Sequence, residues 1–188
     1  MTREIMKSFL TCSPVPKTER RRFLYASAGL GLLALTPMLR AQGRGMTALP
    51  APMPAPALRL PDNDGKPVDL AGYRGKVVLV NFWATWCPPC RKEFPSLARV
   101  RKSFKSAEFE VLAVNVGEDP DMVFSFTGTT EFPVLFDRDS KAMGAWPVKG
   151  LPTTFLVDRQ GRLALKAVGG REFDDSEIVA IIKQLLNS

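Results

Sequence analysis

At 188 residues the chain suits one domain plus an appendage, with a formal net charge of +7, three cysteines and no histidine. Residues 1–41 hold seven Lys/Arg and two acidic residues, a net of +5, so the rest carries only +2 (19 basic minus 17 acidic); with no basic stripe interleaved with aromatics there, nucleic acid is excluded as an expected partner. Lack of histidine excludes a Cys–His nucleophile pair, and one close cysteine pair offers too few ligands for zinc.

Residues 1–41 read as an export signal or a membrane anchor. Glu19-Arg20-Arg21-Arg22-Phe23-Leu24-Tyr25 precedes an apolar run from Ala26 to Leu35, the basic-then-apolar order of an export signal. Arg20-Arg21-Arg22-Phe23-Leu24 resembles a twin-arginine signal. An ordinary secretory signal and an uncleaved anchor are the alternatives. Phe23 to Leu39 is 17 residues, at the short limit of a membrane span of about 20. Cys12 lies in this segment, far from the other two cysteines, and reads as incidental. Residues 42–56 read as a Pro/Ala/Gly-rich linker. Pro50, Pro52, Pro54 and Pro56 deny it a helix or a central strand and favour an extended spacer.

Residues 57–188 form the expected domain. Ala57–Leu60 and Lys66–Leu70 read as two short strands, with turn chemistry at Asp62-Asn63-Asp64-Gly65. After a turn at 72–76, the apolar run Val77-Val78-Leu79-Val80-Asn81-Phe82-Trp83 reads as a central strand buried on both faces. Trp86-Cys87-Pro88-Pro89-Cys90 follows, and then a helix over 88–105. Pro88 and Pro89 fit a first helical turn, where missing N–H groups cost little. Pro95 falls inside the helix and is expected to kink it. Phe94, Leu97, Val100, Arg101 and Phe104 give it a mostly apolar inner face.

A strand, a tight turn with two cysteines and a helix together make a reactive dithiol. Cys87 falls at the helix N-terminus, where unpaired N–H groups and the helix dipole favour a thiolate. Such placement lowers a thiol pKa from about 8.5 to roughly 3.5–7.5. Cys90 lies one turn inside and is expected to be more buried, so Cys87 attacks and Cys90 resolves. A structural disulfide is the bland reading, but a loop this small gains little from closure. Arg91, rather than histidine, follows Cys90, so covalent haem attachment through this motif fails.

Phe109–Val116 is the next strand, joined to 77–83 by a right-handed crossover. Asp119–Thr127 reads as a helix, Phe132–Phe136 as a short strand and Asp139–Ala145 as a helix ending at Trp146-Pro147-Val148. Leu151–Asp158 and Arg162–Val168 form an antiparallel hairpin, expected at one edge of a mostly parallel sheet. Ser176–Leu186 closes the chain as a helix with Ile178, Ile181, Ile182 and Leu185 on one face.

The stretch from Asn81 to Pro95, NFWATWCPPCRKEFP, resembles the thioredoxin-like proteins of the TlpA/ResA type, and the resemblance runs from about Ala57 to the C-terminus. It implies an α/β, thioredoxin-like fold: a central mixed sheet flanked by helices, with an N-terminal β-hairpin addition and a mid-domain insertion. Such proteins are exported thiol-disulfide oxidoreductases, often tied to cytochrome c maturation. Gly150-Leu151-Pro152-Thr153-Thr154 matches the position of a cis-proline opposite the dithiol, where the backbone of Leu151 pairs with an extended substrate segment. Glu93 matches a glutamate that influences thiol protonation in ResA-like proteins; the alternative is a solvated first-turn acid. Thioredoxin itself carries a buried Asp where this chain has Asn81, which cannot titrate, so Glu93 is expected to take over the proton from Cys90. Trp86 is expected to shield the pair and contact substrates, and Trp83 reads equally well as plain core.

The expected mechanism is disulfide reduction outside the cytoplasm, in the periplasm or its equivalent. Cys87 attacks a substrate disulfide, Cys90 resolves the mixed disulfide, and a membrane thiol donor resets the pair. Expected partners are an oxidised cysteine-containing protein and that donor. No nicotinamide or flavin motif is present, so no cofactor is expected. Net oxidase or isomerase activity, thiol peroxidase activity and a non-catalytic binding module remain the alternative readings.

Overall fold

The computed structural model describes residues 45–188. The readings placed on 1–41 and on Cys12 lie outside the described residues. Among the described residues, no helix is long and apolar enough to cross a membrane.

The elements follow in the order β1 (Thr47–Pro54), β2 (Arg59–Pro61), β3 (Pro67–Asp69), a one-turn 3-10 helix (Leu70–Tyr73), β4 (Val77–Trp83), α1 (Pro88–Lys102), β5 (Phe109–Val116), α2 (Pro120–Thr127), β6 (Val134–Asp137), α3 (Lys141–Ala145), β7 (Thr153–Val157), β8 (Arg162–Val168) and α4 (Ser176–Leu186). Six strands form one sheet in the order β1-β8-β7-β4-β5-β6, and β2 and β3 form a separate hairpin. β4 runs parallel to β5, and β5 to β6. β7 lies antiparallel beside β4, β8 beside β7, and β1 beside β8.

The sheet is therefore mixed, as the TlpA/ResA resemblance implies, but it is not mostly parallel. The β7–β8 hairpin docks directly on central β4 instead of closing an edge. A second correction concerns 42–56. Thr47–Pro54 is the outer strand of the sheet rather than a free spacer. Proline removes a ladder donor, which an edge position tolerates, and the register shift between Ala48 and Met53 absorbs the mismatch. The proline pattern predicted the extended backbone but could not reveal the partner strand. Helix α1 also stops at Lys102, three residues earlier than expected, because Ser103 and Phe104 turn back onto Val100 and Arg101.

β4 is buried at every position. Its alternation splits the core in two. Val77, Leu79 and Trp83 face Leu97 and Val100 of α1 and Ile178 and Ile182 of α4. Val78, Val80 and Phe82 face Leu58, Leu112, Trp146, Phe155 and Leu163. The N-terminal hairpin and the α3 region thus cover one face, and α1 and α4 the other. Asn81 shares the parity of Leu79 and Trp83, so its amide sits beneath α1 at the cysteine end of the sheet.

Candidate functional site: the Cys87–Cys90 dithiol

Cys87 is the N-cap of α1, and Pro88 and Pro89 occupy its first turn. These prolines remove two of the N–H groups that a helix N-terminus ordinarily presents. The donors expected around the Cys87 sulfur are therefore fewer than the helix position alone suggests. Cys87 and Cys90 form a disulfide with Cα atoms 5.3 Å apart. Cys90 is fully covered, whereas Cys87 keeps 4 % of its surface. Trp86 is 67 % exposed and presents an apolar face to solvent beside the pair. Trp83 is core: it is fully buried and packs on Phe94 (ring centroids 4.5 Å) and Phe126 (5.9 Å).

The Leu151–Pro152 bond is cis. The β4–β7 register pairs Phe82 with Thr153, which brings Pro152 to the level of Trp83 at the same end of the sheet as the dithiol. Among the described residues, neither the N–H nor the C=O of Leu151 takes a main-chain partner.

Glu93 is buried one turn beyond Cys90, not solvated. Its Oε1 accepts from Asn81 Nδ2 at 2.8 Å, and its Oε2 accepts from the Arg171 main-chain N–H at 3.2 Å. Asn81 Nδ2 donates also to Thr154 Oγ1 at 2.9 Å. Burial pushes the Glu93 carboxyl up to about 7, against the smaller opposing pull of the Asn81 and Arg171 hydrogen bonds. A carboxyl poised near neutrality suits proton exchange with a thiol.

The same shift has a stability consequence. Folding favours the protonated form, so the folded chain takes up a proton between the ordinary value of 4.5 and about 7. Stability is highest below that window and falls as pH rises through it, by about 3 kcal/mol in all. Glu93→Gln cannot ionise and escapes this loss. Relative to wild type, the variant is expected to gain stability between pH 5 and pH 8 in urea unfolding. A constant difference across that range excludes a perturbed Glu93.

Several residues at the site escape sequence reasoning. Glu118, which follows β5, is buried. Its Oε2 accepts from the Thr85 main-chain N–H at 2.7 Å and from Asn115 Nδ2 at 2.6 Å, and its Oε1 accepts from the Thr85 hydroxyl. It thereby ties the turn ahead of Cys87 to the end of β5. The available signal is that Asn115 lies near the end of a strand parallel to β4, and Glu118 just after it, with Asn115 opposite Trp83. Thr154 reaches the site through strand register, and Arg171 through the turn that leaves β8.

A fully buried cysteine disulfide-bonded to one that keeps a little surface, at a strand-to-helix turn and at the same end of the sheet as a cis-proline, is the site of a thioredoxin-like thiol-disulfide protein. The AhpC/TSA family model matches residues 53–166. The thiol-disulfide oxidoreductase ResA of Bacillus subtilis is 45 % identical over 118 residues, 62 % of this chain and 65 % of the relative's length. ResA of Geobacillus thermodenitrificans is 39 % identical over 145 residues, covering 76 % of this chain and 79 % of the relative. The crystal structure of a thioredoxin-family thiol:disulfide interchange protein from Chlorobium tepidum superposes with a TM-score of 0.63 at 33 % identity, over 74 % of this chain and 99 % of that one. The chain belongs to the AhpC/TSA family and, within it, to the ResA-type thiol-disulfide oxidoreductases.

Proposed function

We propose that this oxidoreductase works as a reductant of protein disulfides outside the cytoplasm, with oxidised apocytochrome c among its targets. The carrying observation is the pairing of a covered Cys90 with the buried Glu93 carboxyl one turn away. Cys87 opens the substrate disulfide and holds it as a mixed disulfide. Cys90 passes its proton to Glu93, attacks the Cys87 sulfur and releases the reduced substrate. The unpartnered backbone of Leu151, ahead of Pro152, is the edge along which an extended substrate segment pairs. Exposed Trp86 supplies an apolar contact beside it. A membrane thiol donor returns two electrons to the pair. Residues 1–41 would export the domain or hold it at the membrane.

The decisive test is equilibration of the Cys87–Cys90 pair with a glutathione buffer, read by thiol alkylation. A reductant stays oxidised in a buffer poised near the glutathione potential, because its own potential is lower. A pair that is reduced there is a net oxidase, and the reductant reading fails. Trapping with Cys90→Ala then identifies the substrates, because that variant stops at the mixed disulfide.

A further inference from the structure

Between β8 and α4 the chain crosses the site through Gly169, Gly170 and Arg171, and each residue touches a different part of it. The Gly169 N–H donates to Pro152 O at 2.9 Å. Gly170 lies against the first turn of α1: a Cβ there would sit 2.9 Å from Pro89 O and 3.1 Å from Pro89 Cβ. The Arg171 N–H donates to Glu93 Oε2 at 3.2 Å. The Arg171 guanidinium folds back on the turn, with Nη2 donating to Val168 O at 2.8 Å and to Gly169 O at 3.1 Å. The turn is thus locked by its own side chain and spans the substrate edge, the dithiol helix and the proton acceptor.

We propose that Gly169–Gly170–Arg171 is a positioning element of the dithiol reaction, which holds the Glu93 carboxylate one turn beyond Cys90 in register with the start of β7. This rests on the reading of Glu93 as the base for Cys90. The resolving step is balanced within the site. The Cys90 thiol proton moves to Glu93, the Cys90–Cys87 bond forms, and the Cys87–substrate bond breaks. The substrate sulfur leaves as a thiolate and is then protonated. The two electrons that reduce the substrate come from the Cys87–Cys90 dithiol.

The turn acts on Glu93 through hydrogen bonding and charge. The Arg171 amide stabilises the ionised carboxylate, as does the Arg171 charge, while burial and Glu172 oppose ionisation. Glu172 is itself engaged by Arg99. From β4 Asn81 faces the carboxylate, with Thr154 of β7 behind it, and along α1 lie Cys87 and Cys90. A shift of the turn away from α1 removes one of the two hydrogen bonds to Glu93 and leaves Asn81 in place.

Gly170→Ala imposes that shift, because main-chain Pro89 O cannot rotate away from the new methyl. The experiment measures single-turnover release of a reduced peptide from the mixed disulfide between pH 5 and 9, in wild type, Gly170→Ala, Arg171→Ala and Glu93→Gln. In Gly170→Ala the rate midpoint is expected to move upward in pH. The rate then falls about three- to tenfold near pH 6.5 and matches wild type near pH 9. Arg171→Ala, which keeps the N–H but loses the lock and the charge, moves the same way and serves if Gly170→Ala does not fold. Unmoved midpoints in the folded turn variants, whatever their absolute rates, overturn the proposal while Glu93→Gln abolishes the limb. If the limb survives in Glu93→Gln, the base assignment fails and the positioning role falls with it.

Discussion

Cys87→Ala is expected to reduce insulin disulfides no faster than the dithiol in the assay, whereas reduced Cys90→Ala, mixed with substrate after the dithiol is removed, should consume one equivalent and stop. The argument is geometric. Cys87 alone of the pair keeps accessible surface, and it caps α1 at the end of β4. Cys90 is sealed within the cluster that contains Trp83, Phe94 and Leu97. An incoming disulfide therefore meets Cys87 first, and only the thiolate attacks. The Cys90 variant retains the attacking sulfur and lacks the resolving one, so a covalent adduct accumulates that thiol reagents reverse. Mass spectrometry after acid quench reads the outcome. An adduct on Cys90 in Cys87→Ala, formed as fast as the wild-type reaction, inverts the assignment.

Glu118→Ala is expected to cost about 4 kcal/mol in urea unfolding. The substitution strands the part-buried Thr85 N–H and the buried Asn115 amide, both of which now donate to one carboxylate oxygen. Glu118→Gln is expected to lose far less. A single amide oxygen can accept from both donors, and the Thr85 hydroxyl can turn to accept from the new amide N–H. The alanine variant should also loosen the turn that carries Cys87, seen as faster hydrogen exchange at Thr85 and Trp86. Equal stability of the two variants excludes Glu118 as the anchor of that turn.

How legible these features are in the sequence depends on how local their causes are. β4 and the dithiol turn are written in contiguous residues: six apolar positions and one asparagine, then two prolines where a helix begins. The closing helix is legible for the same reason, with its isoleucines three and four apart. Pairings between distant segments are not. The prolines of residues 50–54 specify extended backbone, but only β8 turns that backbone into a strand. Glu93 was visible as a residue one turn from Cys90, whereas its neighbours depend on register: Asn81 meets Thr154 across β4 and β7, and Arg171 arrives through the exit from β8. Glu118 is hidden for the same reason, since its partner Thr85 lies 33 residues earlier and only the parallel alignment of β4 with β5 joins them.

The proline-bearing outer strand also bears on how this enzyme handles unfolded clients. A protein that must bind extended, cysteine-bearing chains risks recruiting them, or copies of itself, along any open rim of its sheet. Pro50, Pro52 and Pro54 leave the β1 rim with three fewer main-chain donors. Strand addition is thereby discouraged along that rim, which is compatible with the proposed pairing of an incoming chain at the Leu151 backbone instead.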